Sequence, residues 1–304
     1  MNINTITALV AAASLSGMAF AQEQDTAPAT AENTSLPAEE EQLDEEKSPF
    51  ISAEFGLAFD SKYMTYGVVD GRSPIVTPSA EVSFFDTLYF GVEAIFDVNR
   101  GNGGRGGKYS TLDGIVGLRH DFDLGETLGA LSVDVNYIYE YIPRRNWNED
   151  KGKKDVDDTQ YVNLELALGD LWLEPTLSIE RDLMADNGTY ANLELGHTFQ
   201  VCDHVTLRPA VGQGLGNTQR TRGYFSEGKY EENGFSHGGL MDTSLKLTAE
   251  WEICDHLTLS GYVAYYDYLF DSNMRSGARE HNLATTGRND SAQFVGGLAL
   301  TASF

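Results

Sequence analysis

The chain has 304 residues, and 46 acidic against 21 basic side chains leave it a formal charge of −25, which excludes a nucleic-acid binder, because a polyanion needs a basic footprint on its partner. Hydrophobic residues make up 41% of it, the mean hydropathy is −0.31, and beyond residue 21 no apolar run approaches the roughly 18 residues of a helical membrane span, so a multi-helix membrane protein is excluded as well. With 31 Gly, 15 Tyr and 15 Phe tilting the composition toward strands, and two Cys too few for a disulfide scaffold, two classes remain: a soluble acidic β protein or a transmembrane β-barrel.

Residues 1–21 hold an apolar stretch from about Leu9 to Phe20 that ends in Ala19-Phe20-Ala21, the A-x-A pattern of a signal peptide, although the n-region lacks Lys or Arg. Residues 22–48 follow with nine acidic side chains against the single Lys47. Such a segment cannot bury enough apolar surface to offset its ordering entropy. It reads as a disordered periplasmic spacer, or as a docking arm. The remaining residues, 49–304, form the third region.

From Phe50 onward apolar residues recur at every second position, the period of strands with one greasy face. Ile51, Ala53, Phe55, Leu57 and Phe59 make one set; Leu88, Phe90, Val92, Ala94, Phe96 and Val98 another. Later sets are Leu131 to Tyr141, Val162 to Leu168, Leu171-Leu173-Pro175-Leu177-Ile179, Thr243 to Ile253, and Phe294 to Phe304. Twelve strands are predicted, starting near residues 50, 74, 87, 109, 129, 159, 171, 189, 204, 241, 256 and 292. The expected fold is all-β, an antiparallel up-and-down transmembrane barrel, for which an even count is required.

The connections alternate in length. Segments 60–73, 99–109, 142–158, 182–188, 216–240 and 270–291 are mostly long and polar; those near 85–87, 169–170, 200–204 and 253–256 are short, and 120–129 is intermediate. Outer-membrane barrels have short periplasmic turns and longer external loops, whereas a soluble sandwich has no reason for the alternation. Phe304 follows an in-phase strand and is similar to the C-terminal β-signal read by the barrel-assembly machinery. Aromatic girdles are expected from Tyr63, Tyr66, Tyr139, Tyr141, Tyr265, Tyr266, Tyr268 and Phe270 at the external end, and from Phe84, Phe85, Trp172 and Trp251 at the other.

If the apolar phase faces lipid, the alternate phase puts Glu54, Glu81, Glu93, Asp97, Asp113, Asp134, Glu140, Glu165, Glu174, Glu180, Glu194, Asp242, Glu250 and Glu252 inside, with only Arg119, Arg208 and Lys246 as cations. Removing an unpaired carboxylate from water costs several kcal/mol or forces it to protonate. A wet, negatively lined lumen is therefore expected, a pore for small hydrophilic solutes that prefers cations. The alternative is a closed barrel plugged by polar networks, with a structural or surface-interaction role, and the third reading is an outer-membrane enzyme. Bulges near Ser83–Asp86 or Gly196–Gln200 would shift single assignments. Arg72, Arg100, Arg105, Lys108, Arg144, Arg145, Lys151, Lys153, Lys154, Arg220, Arg222, Lys229, Arg275, Arg279 and Arg288 fall in the external loops, a rim suited to anionic lipopolysaccharide; selectivity would change if Arg72 or Arg144 folded inward.

Val201-Cys202-Asp203-His204-Val205-Thr206-Leu207 and Ile253-Cys254-Asp255-His256-Leu257-Thr258-Leu259 are near copies at two periplasmic turns. In an oxidising compartment the leading expectation is a Cys202–Cys254 disulfide; free thiols come next, and zinc held by two Cys and two His comes last. None of the six His stands in an obvious nucleophile or paired-acid setting, and neither G-x-S-x-G nor H-E-x-x-H occurs, so no catalytic residue, metal or cofactor is assigned. The Gly101–Gly107 stretch lies between strands, unlike a phosphate-cradling loop. Finally, Asp60-Ser61-Lys62-Tyr63-Met64-Thr65-Tyr66-Gly67 with Gly71-Arg72-Ser73-Pro74 resembles the start of porins of the TorF type. There a Ser-Asp-Tyr-Arg-Phe-Arg-Gly-like turn ends the first strand and a Pro opens the second; Met64 and Thr65 stand here where basic residues belong. The resemblance covers some forty residues and implies a passive outer-membrane porin without catalytic residues, its partners being outer-membrane lipid and lipopolysaccharide, the assembly machinery and the solutes themselves.

Overall fold

The computed structural model describes residues 50–98, 109–125, 127–142, 158–226, 228–230 and 234–304. The expected signal peptide and spacer, the Gly101–Gly107 loop and residues 143–157 lie outside them. The strands are β1 (Ile51–Asp60), β2 (Tyr63–Thr65), β3 (Val68–Gly71), β4 (Ile75–Phe84), β5 (Leu88–Asp97), β6 (Tyr109–Asp123), β7 (Ala130–Tyr141), β8 (Thr159–Ala167), β9 (Thr176–Asp182), β10 (Thr189–Gly196), β11 (Phe199–Cys202), β12 (Val205–Gly216), β13 (Gly239–Cys254), β14 (Leu257–Asp267) and β15 (Gln293–Ser303). Two helices, α1 (Thr218–Tyr224) and α2 (Ser272–Thr286), lie in connections.

Each long strand pairs antiparallel with its neighbours, β1 pairs with β15, and β10 pairs with β12, so a ring of twelve strands closes on itself. Closure follows from the sequence pattern, since an open sheet would leave two rows of backbone N–H and C=O groups unpaired. Along β1 the residues Phe55, Leu57 and Phe59 are exposed, as are Val92, Leu118, Leu247, Val263 and Leu298 on other strands. Leaving one such side chain in water forgoes about 1.5–3 kcal/mol of burial. Repeated round the whole wall, that cost marks an exterior built to meet hydrocarbon.

Strand β11 continues β10 beyond a break at His197 and Thr198, and the ladder slips between Gln200 and Cys202, in the region where a bulge was expected. The seventh barrel strand corrects the sequence reading. It begins at Thr176 rather than near residue 171, because Leu168–Pro175 is a turn: Glu174 N–H donates to Leu171 O, Glu174 sits at φ 39°, and Pro175 has no N–H to donate. The repeated turns Asp203-His204 and Asp255-His256 close tight hairpins with matching slips before them. Cys202 and Cys254 are free and exposed there. Strand β12 stands between theirs, and two interstrand steps span roughly 9–10 Å, beyond the about 7 Å that a disulfide can bridge. The expected bond is not formed.

The long connections gather at the opposite end. Residues 63–71 form the small β2–β3 hairpin, whose turn at Tyr66 (φ 47°) and Gly67 (φ 79°) has the paired left-handed geometry favoured for tight hairpins. Helix α1 is capped by the Asn217 side chain, which accepts from Arg220 N–H; α2 is capped by Asp271 and ends at Gly287 in the left-handed region.

Candidate functional site

The barrel interior has two parts. Toward the short turns, Glu54, Glu81, Asp134, Glu165, Glu194 and Glu250 point inward and remain half-buried, with Arg119, Arg208 and Lys246 among them. Arg119 reaches Glu81 at 2.7 Å and Asp134 at 3.7 Å, and its guanidinium lies 4.2 Å from the Tyr89 ring centre. Tyr89 donates its hydroxyl to Asp134 at 2.8 Å. Arg208 donates Nε to Glu174 at 3.0 Å and Nη1 to Glu194. Each arginine is thus shared by two acids. Glu174 acts from its turn, not from a strand, and also accepts from Thr198. Glu54 stands directly opposite Glu81, and Glu165 opposite Asp134, so carboxylates face each other across neighbouring strands. Lys246 holds its amine 5.5 Å from the Tyr262 ring centre.

Toward the long loops the interior is filled. Tyr66 and Val68 of the first loop, Phe225 and Phe235 of the α1 connection, Met274 and Ala278 of α2, and Tyr190, Met241 and Tyr268 of the strand ends pack into one buried cluster. This corrects the girdle expectation: Tyr66, Tyr266 and Tyr268 are interior residues, whereas Tyr139, Tyr141 and Phe270 at this end, and Phe85, Trp172 and Trp251 at the other, are exposed. Most of the acids at this level find donors. Glu180 accepts from Arg220 at 2.9 Å and from the Tyr66 hydroxyl; Asp242 accepts from Tyr190 at 2.9 Å, Glu140 from Tyr161 at 2.9 Å, and Asp60 from Tyr262.

Arg220 is the functional residue that sequence reasoning misplaced. It was read as one more rim cation, yet it is 1% exposed and also pairs with Asp186 at 3.2 Å. Its helix carries it over the barrel mouth, where Gly188 leaves room: a Cβ there would lie 2.5 Å from Arg220 Cα. Arg72, by contrast, is exposed, and Arg144 lies outside the described residues. The choice posed by the sequence, ionised acids in water or neutral acids in a dry core, therefore has a third answer in the loop-side half. There phenol hydroxyls and one imported guanidinium satisfy most carboxylates.

Among solved structures the chain is similar to an outer-membrane channel from Pseudomonas putida F1, at 12% identity and a TM-score of 0.48, over 86% of this chain and 98% of that one. It is also similar to the NanC porin, at 9% identity and 0.43 over 83% and 98%, and to the KdgM porin, at 8% and 0.43 over 83% and 99%. Neither a family model nor a curated protein matches the chain, and the TorF-type resemblance rests on the residues quoted for it.

Proposed function

We propose that this barrel sits in a bacterial outer membrane and lets small hydrophilic solutes diffuse passively, with a preference for cations. The observation that carries the reading is the turn-side half of the interior. Seven acids, Glu54, Glu81, Asp134, Glu165, Glu174, Glu194 and Glu250, stand there against Arg119, Arg208 and Lys246. A solvated lumen with that surplus lowers the energy of an entering cation and raises that of an anion. The apolar outer wall supplies the reason for a membrane setting. The exposed Arg72, Arg222, Lys229, Arg279 and Arg288 of the loop end suit contact with anionic lipopolysaccharide.

A second reading, a closed barrel that acts through its loops, is favoured by the packed cluster around Tyr66, Phe225 and Tyr268. Planar-bilayer recording separates the two. Reproducible unitary currents with a reversal potential displaced toward the cation limit in a KCl gradient are expected; silence of the folded protein would leave the closed barrel. The triple variant E54Q/E165Q/E250Q should reduce the displacement, and an unchanged value would mean that these carboxylates do not line the path.

A further inference from the structure

Glu93 on β5 stands opposite Asp113 on β6, and Asp113 stands opposite Glu140 on β7, so three inward carboxylates form one row across adjacent strands. Glu93 and Asp113 are each 1% exposed. Glu140 holds the Tyr161 hydroxyl. Glu93 Oε1 and Asp113 Oδ1, however, have no hydrogen-bond partner, and neither has the buried hydroxyl of Thr111, the preceding inward residue on β6. Buried Glu180, Asp242 and Glu140 each meet a tyrosine or an arginine, and Asp182 is held by Thr159 and two backbone N–H groups; Glu93 and Asp113 lie side by side with an oxygen each left over. A buried carboxylate oxygen with no donor is costly, and two side by side repel each other besides, so the pair takes up either protons or a cation that displaces them.

The donors define its class. All three free atoms are oxygens, two of them on carboxyl groups, and directly opposed strand residues hold their Cβ atoms about 4.5–5.5 Å apart, within reach of one shared ion. We infer that Glu93, Asp113 and the Thr111 hydroxyl bind a hard divalent cation inside the barrel. Among the described residues no three His, Cys, Asp or Glu side chains gather into a closed cage. The site therefore supplies two carboxylates and a hydroxyl and leaves its other positions to water, an open coordination that calcium and magnesium both accept. This goes beyond the channel reading, since binding at equilibrium requires no current.

The test uses the whole folded barrel in detergent, stripped with a chelator and titrated calorimetrically with CaCl2 and with MgCl2. Saturable binding of one ion per chain is expected for at least one of the two, together with a rise in the unfolding temperature. E93Q/D113N should lose at least about tenfold in affinity while keeping folded, heat-modifiable migration on a gel, and T111V should lose a smaller factor. If the double variant does not fold, D113N and T111V carry the same comparison. No saturable binding of either ion to the folded wild type, or variants that bind as it does, would overturn the site. A barrel that binds the ion but passes no current refutes only the channel; one that conducts without binding refutes only this site.

Discussion

At the scale of single residues, the loop end depends on a charge that the chain has carried indoors. Arg220 lies between Glu180 and Asp186 with its guanidinium 5.0 Å from the Tyr66 ring centre. Removing one partner of a buried pair leaves the other charge uncompensated, at about 3–5 kcal/mol. R220Q should accordingly lower the unfolding temperature and expose the loop around residues 217–238 to protease; a variant as resistant as the wild type would show that the pair does not hold the loops. Gly67 is a second such point. It sits at φ 79°, and an added Cβ would lie 2.5 Å from Asp242 Cβ, so G67A should cost about 1–3 kcal/mol in a melting experiment. Neither residue announces its role in the sequence. Arg220 stands in a polar stretch with no alternation to fix its direction, and what decides its burial is an acid forty positions earlier, on strand β9.

At the scale of elements, strands were legible and the helices that close over them were less so. A period of two survives on each lipid-facing strand because every second residue meets hydrocarbon, and β1, β4, β5, β8 and β15 begin within one residue of their expected starts. Strand β9 departs because alternation at Leu171 and Leu173 is accidental: Trp172 and Leu173 are exposed on a turn, and Pro175 marks where the ladder resumes. Helix α2 did leave signals, an Asp271 cap, the terminal Gly287, and a buried stripe of Met274, Gly277, Ala278 and Asn282 at helical spacing. They are faint beside a strand pattern, since three of the four residues in that stripe are small or polar. If α1 and its connection constrict the mouth, replacing residues 218–238 with a short Gly-Ser turn should raise unitary conductance several-fold while folded migration persists. Equal conductance would place the constriction elsewhere.

At the scale of the whole molecule, the ring fixes what can be reached from where. Twelve strands set the bore, the acids on the turn side stay accessible, and the loops fill the other end. The count and the fold class were readable because alternation recurs from strand to strand and long connections alternate with short ones; the filling was not, because it depends on contacts between loops far apart in sequence. The seam joins β1 to β15, and Ala53 and Phe304 exchange backbone hydrogen bonds of 2.9 Å in both directions. Deleting residues 293–304 should therefore abolish heat-modifiable migration altogether rather than weaken it. The same join governs timing: strands that neighbour one another along the chain can zip as they emerge, but β1 must keep one flank vacant until the last segment has been delivered. Insertion into lipid before that moment would strand bare peptide groups in oil, so the open flanks of β1 and β15 must meet as the ring enters the bilayer, and a pairing between strands so far apart in sequence is intrinsically slower than the zipping of neighbours.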